Sequence, residues 1–312
     1  MFFDVPPAYA DHGPPVSVAP SGILPATPPP PFDLHHFGVH WSVVVGILAL
    51  AALYLYGMRA LRRRSGGAAR VPTPRVAAFF AGLAVLFFSL NGPLHELSDT
   101  YLFSAHMIQH LLLTQLVAPL LVCGISAGLV APILAHRHAH AIAFRLTRPW
   151  TSVALYTTVF VLWHVPLLFN TMMAHHNVHI TMHVSLLAMS VLSWWPIVGD
   201  PETLPTPEPL VRILLAFVLS VPMMVVAAFI TYAGHLLYPW YSMAPRVWGL
   251  SPLNDQVTGG VIMWVPGTAA YWVAITLVWF RWARREGADR QTEVFSIPSA
   301  SALPLTHPEA RP

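Results

Sequence analysis

Seven stretches of this chain are long and apolar enough to cross a lipid bilayer, and nothing else in it constrains the fold as strongly. A spanning helix needs about 20 mostly apolar residues. The stretches run roughly from Trp41 to Met58, Val76 to Leu90, Tyr101 to Val122, Trp150 to Phe169, Val178 to Val198, Leu210 to Tyr232 and Val257 to Phe280. Asn91-Gly92-Pro93 cuts the second one short. The apolar run from Gly124 to Leu134 is too short to span again and reads as a continuation of the third helix or an interfacial segment. Pro119, Pro166, Pro222 and Pro266 fall inside spans, where membrane helices accept them as kinks. Only 9% of the 312 residues are charged, against about 25% in an ordinary soluble domain. So few charges cannot cover a water-facing surface of this size, which excludes soluble enzymes and nucleic-acid binders. The expected fold is all-α: a polytopic membrane protein built as a bundle of seven transmembrane helices.

The basic residues set the expected orientation. All 16 are Arg. The first connection holds Arg59, Arg62, Arg63, Arg64, Arg70 and Arg75, the third holds Arg137, Arg145 and Arg148, and the tail holds Arg281, Arg284, Arg285 and Arg290. Basic loops stay in the cytoplasm. This places the N-terminus outside and the C-terminus inside, with 15 Arg inside and Arg246 alone outside. Residues 1–40 read as a flexible, Pro-rich outer tail, 41–282 as the seven-helix transmembrane domain, and 283–312 as a disordered cytoplasmic tail. The first 40 residues lack the charged and apolar regions of a signal peptide, so the first helix is expected to direct insertion. Cys123 is the only cysteine, which rules out an intrachain disulfide and any thiolate cluster.

Histidine carries the chemistry. The chain has 17 His, more than its Asp and Glu together. His136, His138 and His140 fall in an inner loop and His307 in the inner tail; the other 13 lie outside or in the outer half of the bilayer. His106-Met107-Ile108-Gln109-His110 and His179-Ile180-Thr181-Met182-His183 are two i, i+4 pairs, each on one helix face. His164 reaches the same depth from a third helix. Polar groups in lipid face the bundle interior, so five imidazoles can converge in one outer, inward-facing pocket. Imidazole is the commonest biological metal ligand near neutral pH. Without thiolate, His with Met thioether suits copper, and Cu(I) in particular. Met107, Met172, Met173, Met182, Met243 and Met263 all lie on the outer side, although Met also fills apolar cores. Glu96 and Asp99 precede the third span, and Asp255 and Gln256 lead into Gly259-Gly260 and Met263-Trp264. A carboxylate here either orients a His or attracts cations, or is a solvated interfacial acid, a reading that weighs at least equally for Asp99. The glycine pair allows close helix packing. No inner-half chain of polar residues is evident.

Other readings use the same residues. A purely polar His network would hold helices together without metal. Facing His residues also ligate haem iron, as in a membrane cytochrome or haem-handling protein. A zinc-dependent hydrolase needs an acid–base carboxylate beside its ligands, and here Ile108 and Gln109 stand between the His pair. No catalytic role is expected.

These pieces together resemble the CtaG assembly factors associated with caa-type cytochrome c oxidase. The resemblance rests on His106-Met107-Ile108-Gln109-His110 with its apolar run to Pro119, Trp163-His164-Val165-Pro166, and the His179…His183 pair. It continues through Trp194-Trp195-Pro196 and from Asp255-Gln256 through Gly259-Gly260 to Met263-Trp264, covering about residues 40 to 285. It implies a multi-pass protein of a bacterial inner membrane that helps mature a haem-copper oxidase, with copper delivery or insertion as the supposed task. The expected ligands are His106, His110, His164, His179 and His183, with Met107, Met182 and Met263 in reserve and His95, Glu96 and Asp255 in support or at the mouth. The expected cofactor is copper, with haem as the alternative. The implied partners are cytochrome c oxidase subunits, a periplasmic copper chaperone and the lipid bilayer.

Overall fold

A computed structural model describes residues 28–33 and 38–296, with side chains as far as Gly287. Among the described residues every regular element is helical: α1 (Trp41–Arg64), α2 (Thr73–Leu90), α3 (Pro93–Glu96), α4 (Phe103–Leu111), α5 (Ala118–Gly124), α6 (Ala127–Leu134), α7 (Arg137–Leu146), α8 (Pro149–His164), α9 (Pro166–Ala174), α10 (His176–Val198), α11 (Pro209–Tyr232) and α12 (Pro252–Ser296). Wider π-helical turns follow α3 (Leu97–Tyr101) and join α4 to α5 (Leu112–Val117).

Six helical stretches are long and apolar enough to cross a membrane, and α8 with α9 makes a seventh, bent by 73°. The expected bundle of membrane helices is therefore the fold observed. Pro stands at the start of α2, α8, α9 and α11, where its missing N–H costs nothing. Pro166 makes the bend in the fourth span: the residue before it, Val165, is forced out of helical geometry (ψ 125°). Large apolar side chains cover the outside, among them Leu53, Phe88, Leu167, Val184, Phe229 and Tyr232, a surface that lipid solvates and water does not.

The interior is close-packed around α4, α8, α10, α11 and α12. An added Cβ at Gly259 would collide with Phe103, at Gly260 with Thr231, and at Gly267 with Met223. The glycines thus let α12 lie against α4 on one side and α11 on the other. The π turn between α4 and α5 sets the Thr114 carbonyl aside, and the Trp194 indole N–H of α10 donates to it at 2.8 Å. α1 sits at the edge; its one buried side chain, Tyr54, stacks on Phe79 at 3.9 Å and donates to the Gly124 carbonyl.

Three details differ from the sequence reading. Of the two readings of the segment after Gly124, continuation of the third span is not the one observed: the chain turns at Ile125-Ser126 and α6 packs back on α1, with Leu129 at Gly57 and Leu61 at Gly128. α12 runs on as helix to Ser296, into the stretch expected as a tail, while residues 1–27, 34–37 and 297–312 of the two expected tails lie outside the described residues. Finally, the bundle does assemble a polar group below the histidines. Thr114, Gln115, Tyr156 and Tyr271 are all buried, and the Tyr156 and Tyr271 hydroxyls and the Gln115 amide have no hydrogen-bond partner among the described residues. Thr114 and Gln115 come from the π turn, Tyr156 from α8 and Tyr271 from α12, so no local pattern announces the cluster.

Candidate metal centre

The start of α4, the end of α8 and the start of α10 meet at one end of the bundle, opposite the Arg-rich connections. They bring together all five histidines singled out in the sequence. His106 and His110 on α4 have ring centroids 4.2 Å apart, and His179 and His183 on α10 are 4.6 Å apart. Across the helices, His106 lies 5.7 Å from His179 and 6.2 Å from His183, and His110 lies 5.6 Å from His183 and 6.0 Å from His164. His106, His110, His164 and His179 are buried and His183 is partly so.

Hydrogen bonds fix two of the rings. His164 Nδ1 is 2.7 Å from the Phe160 carbonyl and His106 Nδ1 is 3.3 Å from the Ser98 carbonyl. A carbonyl only accepts, so both Nδ1 atoms carry the proton and both Nε2 atoms keep a lone pair. Those Nε2 atoms, His179 Nε2 and both ring nitrogens of His110 and of His183 are buried without a hydrogen-bond partner. A buried polar atom left unpaired costs about 1–3 kcal/mol. Seven unpaired ring nitrogens in one cluster of five imidazoles fit a cation as the missing partner for some of them.

Asp99 closes the group from above. Its Oδ2 lies 3.4 Å from His95 Nε2 and 3.6 Å from His179 Nδ1. One donor atom each from Asp99, His179 and His183 lie within 4.8 Å of one another, a grouping able to hold a metal ion. Burial alone would raise the Asp99 pKa, but the facing imidazoles of His95 and His179 outweigh it and hold the carboxyl well below the usual range. His95 is pushed down by burial, with Asp99 pulling the other way. Its Nδ1 accepts from the Gln109 amide at 2.9 Å, which turns Nε2–H toward Asp99. Glu96 is pushed up to about 7, first by burial and then by the charge of Asp99. The mouth thus pairs an ionised carboxylate with an acid that titrates near neutrality.

A loop after α11 roofs the site. The Tyr241 hydroxyl donates to the Ser98 carbonyl (2.7 Å), the Trp240 indole to the Asp99 carbonyl (3.0 Å) and the Tyr238 hydroxyl to the His164 carbonyl freed at the bend (2.8 Å). Gln256 holds that loop, accepting from Leu237 N–H and donating to the His235 carbonyl. Asp255 has a different place from the support expected of it: its carboxylate accepts the Phe103 and Ser104 N–H groups (2.7 and 3.1 Å) and so caps α4 from another helix. Met107, Met182 and Met263 lie in the apolar core, with Met107 packed at Gly259. Asp99, Ser98 and Gln109 are the functional neighbours the sequence reading underweighted. The i, i+4 spacing of His95 and Asp99 was the available signal.

Fold and site together define a polytopic membrane protein with a buried His cluster, topped by a carboxylate, at one end of the bundle. The chain belongs to the cytochrome c oxidase caa3 assembly factor family, whose model matches residues 52–285. It is similar to uncharacterised proteins of Mycobacterium bovis and Mycobacterium tuberculosis, each 27% identical over 260 residues that cover 77% of this chain and 38% of theirs. A Mycobacterium leprae relative, also uncharacterised, is 26% identical over 281 residues, covering 83% of this chain and 42% of its own. The chain therefore spans about two-fifths of the length of these relatives. No solved structure matches it.

Proposed function

We propose that this protein holds copper as cargo in the His pocket and passes it to a maturing haem-copper oxidase at the outer face of a bacterial inner membrane. One observation carries the reading: five imidazoles from three spanning helices cluster with unpartnered ring nitrogens, and two of them, His179 and His183, lie beside Asp99. Family membership supplies the oxidase, and the donor chemistry supplies the metal. The work is binding and transfer, without catalysis. A copper chaperone outside the membrane would load the pocket through the mouth at Asp99 and His95. A site whose carboxylate, Asp99, is partly exposed suits a carrier that must also release its ion.

The test is elemental analysis with an absorption spectrum on detergent-purified protein, beside a variant with His106, His110, His179 and His183 all changed to Ala. Copper present in the wild type and lost from the folded variant supports the proposal. An intense Soret band would assign the same histidines to haem instead. Neither metal nor haem, after Cu(I) has been offered, would leave the histidines as helix packing alone.

A further inference from the structure

The pocket is not uniform in charge or exposure. At the mouth, Asp99, His179 and His183 offer donor atoms within 4.8 Å of one another, and the Asp99 side chain keeps 28% of its exposure. Deeper in, the donors are imidazole alone. His110 and His164 have ring centroids 6.0 Å apart, with both nitrogens of His110 and the Nε2 of His164 unpartnered. The fully buried His106 sits beside them, and the other ring neighbours are Phe160, 4.4 Å from His164, and Phe169, 5.2 Å from His106. Two imidazoles on one ion, through bonds of about 2 Å, have centroids about 5–6 Å apart. The His110–His164 spacing of 6.0 Å lies at the upper edge of that range; the His179–His183 spacing of 4.6 Å falls just below it, but there Asp99 adds a third donor atom within 4.8 Å.

Charge separates the two donor sets. Burying an ion in apolar surroundings costs more, the larger its uncompensated charge. A dication on Asp99 and neutral imidazoles leaves a single net positive charge. The same dication on imidazoles alone keeps both charges, whereas a monocation there keeps one. Softness points the same way, since carboxylate favours the harder ion. The geometry points to two subsites in one pocket: a mouth subsite of Asp99, His179 and His183 for a divalent cation, and a deep subsite of His110 and His164, flanked by His106, for Cu(I). This rests on the copper-holding reading and sharpens it, because one carrier could then hold two ions of different charge at once.

The experiment uses the full chain in detergent with two probes. Co(II) reports the mouth through its visible absorption, and Cu(I), kept reduced, is read by competition with a coloured Cu(I) chelator. The wild type is expected to bind one of each together. Asp99→Asn should weaken Co(II) by about 10–100-fold and leave Cu(I) unchanged. His110→Ala with His164→Ala should do the reverse, and the metal each variant retains shows that it is folded. Displacement of Co(II) by Cu(I) one for one, or equal loss of both metals in both variants, would overturn the division into subsites while leaving a copper pocket. A wild type that binds neither probe overturns the copper reading and this inference with it.

Discussion

Glu96 sits where burial and a neighbouring carboxylate both oppose its ionisation, and its pKa rises to about 7. The consequence has a definite sign. A carboxyl whose folded pKa is raised binds its proton more tightly in the folded state. Its contribution is fully present below the unfolded value near 4.5 and is lost as pH climbs through about 7. Glu96→Gln, which stays neutral, should therefore match wild type near pH 4.5 and be the more stable protein above pH 7. Thermal unfolding in detergent across that window reads the crossover, and parallel curves for the two proteins would contradict it. Legibility at this scale was uneven. The two His pairs were visible because each lies within one unbroken helical turn pattern, His106 to His110 and His179 to His183. For Asp99 the choice between a His-orienting carboxylate and a solvated acid stays open in the sequence, because Leu102 leaves the helix (φ −133°, ψ 122°) between it and His106, so no single helical face connects the two. Asp255 was legible as a residue of consequence, but its place at the start of α4 depends on a contact 152 residues away.

At the level of elements, hydropathy places the spans as a local property of the chain, whereas of the four prolines expected to kink them only Pro166 makes a bend above 40° among the described residues. The π turn at Leu112–Val117 was not legible, because it is stabilised from outside: Trp194 on α10 satisfies the carbonyl it exposes. That dependence can be measured by contrast. Trp194→Phe removes the indole N–H and leaves the buried Thr114 carbonyl short of a partner, at a cost of about 1–3 kcal/mol. Trp195 is similarly buried, but its indole N–H has no partner. Trp195→Phe removes the same atoms and breaks no hydrogen bond. The first variant should therefore unfold at a clearly lower temperature than the second. Equal losses would mean that packing alone, not the indole bond, holds the π turn. The polar group at Gln115, Tyr156 and Tyr271 has no local signature for a related reason: α8, α12 and the π turn each contribute one of these three residues, and only the packing of the bundle unites them.

For the whole molecule, the decisive relation is between two ends. The Arg-rich connections gather at one end of the bundle and the mouth of the His pocket opens at the other. The positive-inside rule predicts a cytoplasmic basic end, and with it a mouth that faces outward. Single cysteines in a Cys123→Ala background test this in intact cells. Ser242→Cys lies in the exposed roof loop at the mouth, and Ala68→Cys is exposed in the first Arg-bearing connection. A membrane-impermeant maleimide should label position 242 before lysis and position 68 only after it. The reverse pattern would turn the mouth toward the cytoplasm. Copper would then have to be loaded from inside, and the Arg asymmetry would answer to anionic lipid and no longer to topology. Labelling at 242 alone would set Asp99 and His95 on the side from which an outer donor can reach them, which makes the carboxylate at the mouth the first protein group an arriving cation meets.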